Sequence, residues 1–337
     1  MPENISRTAD NISIADAAQL LREGRLVAFP TETVYGLGAD ASNVEAVKGI
    51  FRAKGRPADH PLIVHIPESA KLSDWAENIP EVAYILAEHF WPGPLAMILP
   101  KKTTVPLEVT GGQNTVALRI PNHPIALKLL QAFGGGIAAP SANRYCRISP
   151  TTAQHVLEEL GNAVDLILDG GACSVGVEST IIDLTSSPPR LLRPGHISYQ
   201  ELEAVLQSPV AVPEILSGTP SIDPGSPRAP GMMALHYAPE TKTWLCSSET
   251  IGIIAKQLQL SNQHLGLLRY RTLIPDSPNI TQLTLPEQPD TYAQGLYAAL
   301  RQLDELQLDI LLIERPPLIE AWRAVNDRLN KAATLIE

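Results

Sequence analysis

The amino-acid sequence predicts an α/β protein in two parts: an N-terminal domain on an open, twisted α/β sheet, a proline-rich linker, and a smaller C-terminal α/β domain. Three observations carry that expectation. Over roughly the first 200 residues, short apolar runs alternate with segments whose apolar residues recur at helical spacing. Between residues 207 and 240, seven prolines fall among glycines and serines, a semi-rigid composition that marks a boundary. Beyond residue 240 the strand and helix alternation returns, with no internal repeat. The expected divisions are 1–206, 207–240 and 241–337.

The elements follow in order. Leu26 to Phe29 is an apolar run stopped by Pro30, as a buried strand would be. Asn43 to Phe51 places Val44, Val47, Ile50 and Phe51 on one helical face. Ser42 with Glu45 resembles a capping box, and Gly55 supplies a stop. Leu62 to Ile66 reads as a strand, and Pro80 opens a helix running to Phe90. Leu95 to Leu99 and Val116 to Ile120 read as strands. Pro124 to Phe133 is a helix closed by Gly134, and Thr151 to Leu160 is another. Val164 to Leu168, Ser179 to Leu184 and Arg190 to Leu192 complete the strands of the first part. In the last part, Thr243 to Cys246, Leu265 to Leu268 and Ile310 to Ile313 are strand-like; Gln294 to Leu306 and Ile319 to Ala333 are helix-like. Strand order is not fixed by these patterns.

Composition narrows the function classes. The chain has 337 residues, 44 % hydrophobic and 18 % charged, enough for well-filled cores. A formal charge of −10 argues against a surface that coats nucleic acid, although a local cationic cleft stays open. The three cysteines form no CxxC pair, so neither a disulfide framework nor a zinc cluster is expected, and a reducing, cytoplasmic setting fits. No apolar run approaches the ~18 residues of a membrane span, and residues 1–11 lack a signal pattern, so no membrane partner is expected.

Polar chemistry gathers at the strand ends of the first part, where open α/β sheets bind ligands. Pro30-Thr31-Glu32-Thr33-Val34-Tyr35-Gly36 joins two hydroxyls, a carboxylate and a phenol, and is equally an ordinary polar turn. Lys54-Gly55-Arg56-Pro57 offers two cations suited to phosphate, or simply a helix C-terminus capped by cations. His60 and His65 are five apart, which does not suit two metal ligands on one helix face, and no metal-ligating residue is assigned. Trp91-Pro92-Gly93-Pro94 reads as architecture. Arg119 sits in an apolar strand and needs either a buried carboxylate or an anionic ligand. Ser141, Asn143 and the Glu178-Ser179-Thr180 run place hydroxyls and an amide at loop and helix starts, as a phosphate cradle does; Ser149 and Thr151 read first as helix N-caps. There is no GxxxxGK[ST], GxGxxG-after-strand, GxSxG or HExxH motif.

Taken in order, these segments are specific. Pro30-Thr31-Glu32-Thr33-Val34-Tyr35-Gly36-Leu37, Lys54-Gly55-Arg56-Pro57, His60-Pro61-Leu62, Trp91-Pro92-Gly93-Pro94, Arg119-Ile120-Pro121, Pro140-Ser141-Ala142-Asn143, Ser179-Thr180-Ile181 and Leu192-Arg193-Pro194-Gly195 together resemble the YrdC family over residues 10–200. Ala229-Pro230-Gly231-Met232, His236-Tyr237-Ala238-Pro239 and the part that follows resemble the family's long, two-domain form, with a Rossmann-like α/β accessory domain. The resemblance implies a nucleotidyltransferase that joins L-threonine, bicarbonate and ATP, with Mg²⁺ on the nucleotide, into threonylcarbamoyl-AMP and pyrophosphate. A downstream transferase complex would pass the group to tRNA beside the anticodon. It places Thr33, His65, Arg119 and Ser179 near threonine. Arg56, His60, Thr115, Ser141, Asn143, Ser149, Arg193 and Tyr237 fall near ATP. Lys54, Arg56 and Arg119 are the expected catalytic charges, and the 207–240 linker a lid.

Those residue types suit the reaction. Threonine's amine and bicarbonate give an unstable carbamate, whose oxygen must then attack the α-phosphate. Both partners are anions, so cations and placement would lower the barrier without a protein nucleophile. The main alternative is a YrdC-like RNA-binding or ribosome-maturation module with weak RNA contact and no synthase activity. A hydrogenase-maturation carbamoyltransferase would bring zinc-binding cysteine clusters, which this sequence lacks; the remaining alternative is a non-catalytic small-molecule sensor.

Overall fold

The computed structural model describes residues 5–212, 225–233, 235–261 and 263–336. They divide into two units: Met1–Tyr145, Ser149–Ser174 and Glu178–Met232 form the first, and Cys146–Ile148, Val175–Val177 and Met233–Glu337 the second. Pro213, Pro220, Pro224 and Ala234 of the expected linker lie outside the described residues.

The first unit runs β1 (Ser6–Thr8), α1 (Asn11–Arg22), β2 (Val27–Phe29), β3 (Gly36–Asp40), α2 (Val44–Lys54), β4 (Ile63–His65), α3 (Leu72–Trp75), α4 (Glu81–Phe90), β5 (Leu95–Pro100), α5 (Leu107–Thr110), β6 (Thr115–Arg119), α6 (Pro124–Phe133), β7 (Ile137–Ala138), α7 (Ala153–Leu160), β8 (Leu166–Asp169), β9 (Thr180–Asp183), β10 (Arg190–Arg193) and α8 (Tyr199–Leu206). Among the described residues its strands make one ten-stranded mixed sheet, ordered β1-β8-β2-β3-β7-β4-β6-β5-β9-β10.

The pleat divides the side chains between two faces. Ala28, Val64, Met97, Leu118 and Ile182 point into the larger core, where Val47, Ile50 and Phe51 of α2, Leu86 of α4 and Leu202 of α8 also sit. On the other face, Val27, Phe29 and Ile137 meet the apolar stripe Ile14, Ala17, Leu21 of α1 and Leu129, Leu130 of α6. Further along that face, Ile63, Ala96, Ile98, Ala117 and Ile181 are covered by Ala229 and Met232, from the described end of the linker. That segment is fastened at its edges. Arg228 N donates to Gln113 Oε1 (2.6 Å), Arg228 Nη2 to Gly111 O (2.5 Å) and Arg193 Nη1 to Pro230 O (3.0 Å). Residues i and i+2 of a strand share a face, so Thr115 and Arg119 lie beside Ala117, and His65 beside Ile63.

Local chemistry corrects two expected caps. The α2 N-cap is Asn43, whose Oδ1 accepts from Glu45 N and Ala46 N, while Ser42 N donates to Asp40 instead. The α7 N-cap is Thr152, accepting from His155 N; Ser149 donates to Glu178 and Thr151 meets His155. In both cases the residue nearer the first turn reaches the N2 or N3 amide. Gly55 and Gly134 close α2 and α6 in the left-handed conformation, as expected.

The second unit contains β11 (Thr243–Cys246), α9 (Ile251–Leu260), β12 (Leu265–Arg269), β13 (Ile280–Thr284), α10 (Pro289–Asp304), β14 (Ile310–Glu314), α11 (Arg323–Ala332) and β15 (Thr334–Ile336). Its described strands form a parallel five-stranded sheet ordered β13-β12-β14-β11-β15. The α/β class is therefore that expected for both parts.

Candidate active site

The turn after β2 organises the polar centre of the first unit. Thr31 Oγ1 donates to Val34 O (2.6 Å) and lies 2.8 Å from Thr33 Oγ1, folding the turn back on itself. Tyr35 anchors its far side. Its hydroxyl donates to Gly171 O (2.8 Å) and accepts from Gly170 N (3.2 Å), and burial pushes the phenol pKa upward. Two other loops are laid against the same turn: Ala142 N donates to Tyr35 O, Leu37 N to Pro140 O, and Tyr35 N to Pro150 O. The Pro140–Asn143 and Ser149–Thr151 segments thus meet at one place, although they are far apart in sequence from residue 35.

Arg119 ends β6 and is the charge at the centre of this arrangement. It is opposite His65 in the register of β4 and β6. Its guanidinium donates through Nη1 to Thr33 Oγ1 (3.0 Å) and through Nε to Gly93 O (3.2 Å). Nη2 lies 2.7 Å from Glu32 Oε1, with both side chains buried. The open question posed by an arginine inside an apolar strand is answered by a carboxylate one residue from Thr33. His65 is fully enclosed, and burial, followed by the charge of Arg119, lowers its pKa to about 3. It is a neutral imidazole at any physiological pH.

The Trp91–Pro94 turn joins this cluster to the next. Gly93 N donates to Ile120 O (2.8 Å), and Thr180 N to Pro94 O (2.9 Å). A Cβ at Gly93 would lie 2.2 Å from Phe90 O, so no other residue fits there. Beyond the turn, Arg193 clamps Ser179: Nε donates to its carbonyl (3.0 Å) and Nη2 to its hydroxyl (3.1 Å). Ser149 Oγ donates to Glu178 Oε1 at 2.6 Å. The motif read as architecture is therefore a structural bridge that also supplies an acceptor to Arg119.

Lys54, the last residue of α2, is buried, and its Nζ donates to Ser141 O (2.5 Å) and to Asn143 O. The ammonium expected to face phosphates therefore holds the loop that carries Ser141 and Asn143. Arg56 Nη2 donates to Pro61 O (2.9 Å). His60 packs edge-on against Tyr145 at 5.5 Å, and burial, then the nearby Arg56 charge, lowers its pKa. Thr115 starts β6, four residues from Arg119 and about 13 Å away along the same face. Of the expected set, Tyr237 alone lies in the second unit, buried, 5.9 Å from Tyr297 between ring centroids and 5.3 Å under the Arg328 guanidinium.

Two charged groups of this unit escaped the sequence reading. Glu32 stood inside the first motif without an assigned role; its signal was the arginine in an apolar strand, which called for a buried anion. Arg228 gave no signal, because it lies in a proline-rich segment and reaches Gly111 only through the fold. Among the described residues no group of three or more His, Cys, Asp or Glu side chains could hold a metal ion. No helix among them is long and apolar enough to cross a membrane.

Comparison with known proteins gives a consistent result. Residues 19–195 match the sequence profile of the Sua5–YciO–YrdC family, described as "Telomere recombination". Residues 197–334 match the profile described as "Threonylcarbamoyl-AMP synthase, C-terminal domain". The threonylcarbamoyl-AMP synthase of Pyrococcus abyssi is 42 % identical over 98 % of this chain and 96 % of its own length. The Bacillus subtilis protein of the same name is 43 % identical over 95 % of this chain and 92 % of its own. Among solved structures, P. abyssi Sua5 complexed with L-threonine superposes with a TM-score of 0.90 at 40 % identity, covering 99 % of each chain. Escherichia coli YciO aligns with 60 % of this chain and all of its own, at 26 % identity and a TM-score of 0.53.

Proposed function

The chain belongs to the Sua5–YciO–YrdC family, in its two-domain form, and from that premise we infer that it makes threonylcarbamoyl-AMP from L-threonine and ATP. It is an enzyme of the nucleotidyltransferase class, and its product is a precursor for threonylcarbamoyl modification of tRNA. One observation supports placing the chemistry in the first unit. Arg119, Thr33, Glu32 and His65 form one buried polar cluster, and Arg193 with Ser179 lies directly across the Trp91–Pro94 turn from it.

The product's carbamoyl carbon is at the oxidation level of carbon dioxide, so bicarbonate is the one-carbon donor in this reading. Threonine's nitrogen, as the free amine, takes up that carbon as a C–O bond of bicarbonate breaks and water leaves, and an oxygen of the resulting carbamate then attacks the α-phosphate as pyrophosphate departs. The attacking and receiving groups are both negative. Arg119 and Thr33 hold the amino-acid end, Arg193 and Arg56 offset charge on the nucleotide side, and the loop tied down by Lys54 presents Ser141 and Asn143 to ATP. The step needs placement and charge and no covalent protein intermediate. His65, neutral, adds no competing charge. Burial of the cluster keeps water from the carbamate and the mixed anhydride. Mg²⁺ enters as part of the ATP substrate, neutralising its phosphates. The product would pass to a partner transferase acting on tRNA.

The test is direct. Purified protein is incubated with ATP, Mg²⁺, labelled bicarbonate and L-threonine, and adducts are resolved by chromatography. A labelled AMP adduct that requires threonine, with one pyrophosphate released per adduct, is the expected result. Pyrophosphate release indifferent to threonine would remove the assignment. Arg56→Ala is expected to lose the adduct while the fold persists.

A further inference from the structure

Glu32 follows Thr31 in the turn after β2 and is only 5 % exposed. Its Oε1 is held by the charge of Arg119 Nη2 at 2.7 Å, yet neither carboxylate oxygen has a hydrogen-bond donor among the described residues. Arg119 Nη2, beside it, also lacks a hydrogen-bond partner. Two polar groups of opposite charge are therefore buried together with their hydrogen bonding incomplete. For stability alone, such a pair is worse than an apolar replacement. A cluster left incomplete in this way is what a ligand with matching groups would complete.

The charges nearby define what matches. His123 and Cys173 also feel the charge of Glu32. Burial lowers the pKa of His123, and burial holds Cys173 a thiol, with its pKa pushed up to about 12. His65 is neutral. Arg119 is thus the cation of the cluster and Glu32 its anion, one beside the other. A free amino acid carries the opposite pattern, with a carboxylate and an ammonium on the same carbon.

We propose that Glu32 and Arg119 together form a receptor for a zwitterion, with Arg119 taking the α-carboxylate and Glu32 Oε2 the α-ammonium, so that Glu32 selects for the amine of the amino-acid substrate. The inference rests on the reading of this pocket as the amino-acid site. It explains why a carboxylate is kept in a site whose other substrates are anions. A pocket built on Arg119 alone would bind a hydroxy acid or a simple carboxylate as readily as an amino acid, and such ligands have no nitrogen to carbamoylate.

The experiment uses the full chain and two ligands, L-threonine and the α-hydroxy acid of the same skeleton and configuration, each titrated calorimetrically into wild type, Glu32→Gln and Glu32→Asp. Wild type is expected to prefer threonine by about tenfold or more, the scale of one charge-assisted hydrogen bond. Glu32→Gln is expected to lose that preference through weaker threonine binding, with the hydroxy acid little changed; Glu32→Asp should restore part of it. Equal weakening of both ligands would overturn the proposal, since Glu32 would then only brace Arg119. If Glu32→Gln does not fold, wild type still decides: equal affinity for the two ligands defeats selection for the amine while leaving the amino-acid site in place. Binding of neither ligand would remove the site reading itself, and the proposal with it.

Discussion

Replacing Lys54 by Met separates two roles that the sequence could not. From its position at the end of α2, Lys54 was expected to supply charge to ATP. In the structure its Nζ is committed to the carbonyls of Ser141 and Asn143, and the side chain is only 4 % exposed. Met keeps the length and the apolar stem and removes the two donors. A hydrogen bond from a charged donor contributes about 1.5–3 kcal/mol, so the two together are worth roughly 3–6 kcal/mol gross. Removing the ammonium also cancels the cost of burying it, which returns part of that sum, and two carbonyls are left poorly satisfied. A net loss of about 3 kcal/mol is expected. In a unit of this size each kcal/mol shifts the melting temperature by about 2–4 °C, so the variant should melt about 6–12 °C lower. Because the loop carries Ser141 and Asn143, the KM for ATP should rise as well. Thermal unfolding followed by circular dichroism, paired with threonine-dependent pyrophosphate release, reads both effects. A variant that melts with wild type but has lost turnover would refute the tie and return Lys54 to the role of a phosphate-facing charge.

Three further outcomes are expected. Arg119→Lys keeps the charge but cannot reach Thr33, Glu32 and Gly93 at once, so the KM for threonine should rise at least about tenfold in the pyrophosphate assay, more than the KM for ATP. His65 has a folded pKa of about 3 against 6.5 in the free side chain, so the unfolded chain binds the extra proton. Its contribution to stability is complete above pH 6.5 and is lost as pH falls toward 3, by at most about 1.4 kcal/mol per pH unit; urea midpoints across that window should fall less steeply in His65→Asn. In the second unit, Glu314→Gln should destabilise by about 2–4 kcal/mol in urea unfolding and leave threonine binding by the first unit unchanged.

What the sequence made legible was local. The helix Pro124–Phe133 and the strand Thr243–Cys246 were expected residue for residue, because a proline or glycine marks their ends or their apolar run is unbroken. Strand β3 was not, since Gly36-Leu37-Gly38 reads as a turn. Its glycines are there for close packing, a Cβ on Gly38 meeting both Ile137 and Phe29 at 2.9 Å. Helix α1 also escaped notice: its buried stripe is built on Ile14, Ala17, Ala18 and Leu21, and two of those four are alanines. Sheet order is set by non-local pairing, such as β8 between β1 and β2, and no segment encodes that alone. For the site, residue types were legible and partners were not. Arg119 announced that it needed an anion, Lys54 announced only its charge, and the choice among carboxylate, carbonyl and phosphate was made by chain crossings that periodicity does not reveal.

The second unit shows the same separation between a fold and its chemistry. Open parallel sheets bind ligands beyond the carboxyl ends of their strands, often on successive backbone N–H groups. In this unit those groups are taken. Glu314, at the end of β14, accepts from the amides of Tyr270 (2.9 Å), Arg271 (3.0 Å) and Thr272 (3.1 Å), and from the hydroxyls of Thr272 (2.5 Å) and Ser248 (2.9 Å). Burial favours the protonated acid, yet these donors together hold its pKa below the usual range. An anion arriving there would have to displace a covalently tethered carboxylate that already satisfies five donors. The two sheets therefore handle buried carboxylates in opposite ways. In the second unit, Glu314 is fully served by its own chain and fills the position where a parallel sheet would take a ligand. In the first, Glu32 is held on one side only, by Arg119, and neither of its oxygens has a hydrogen-bond donor among the described residues.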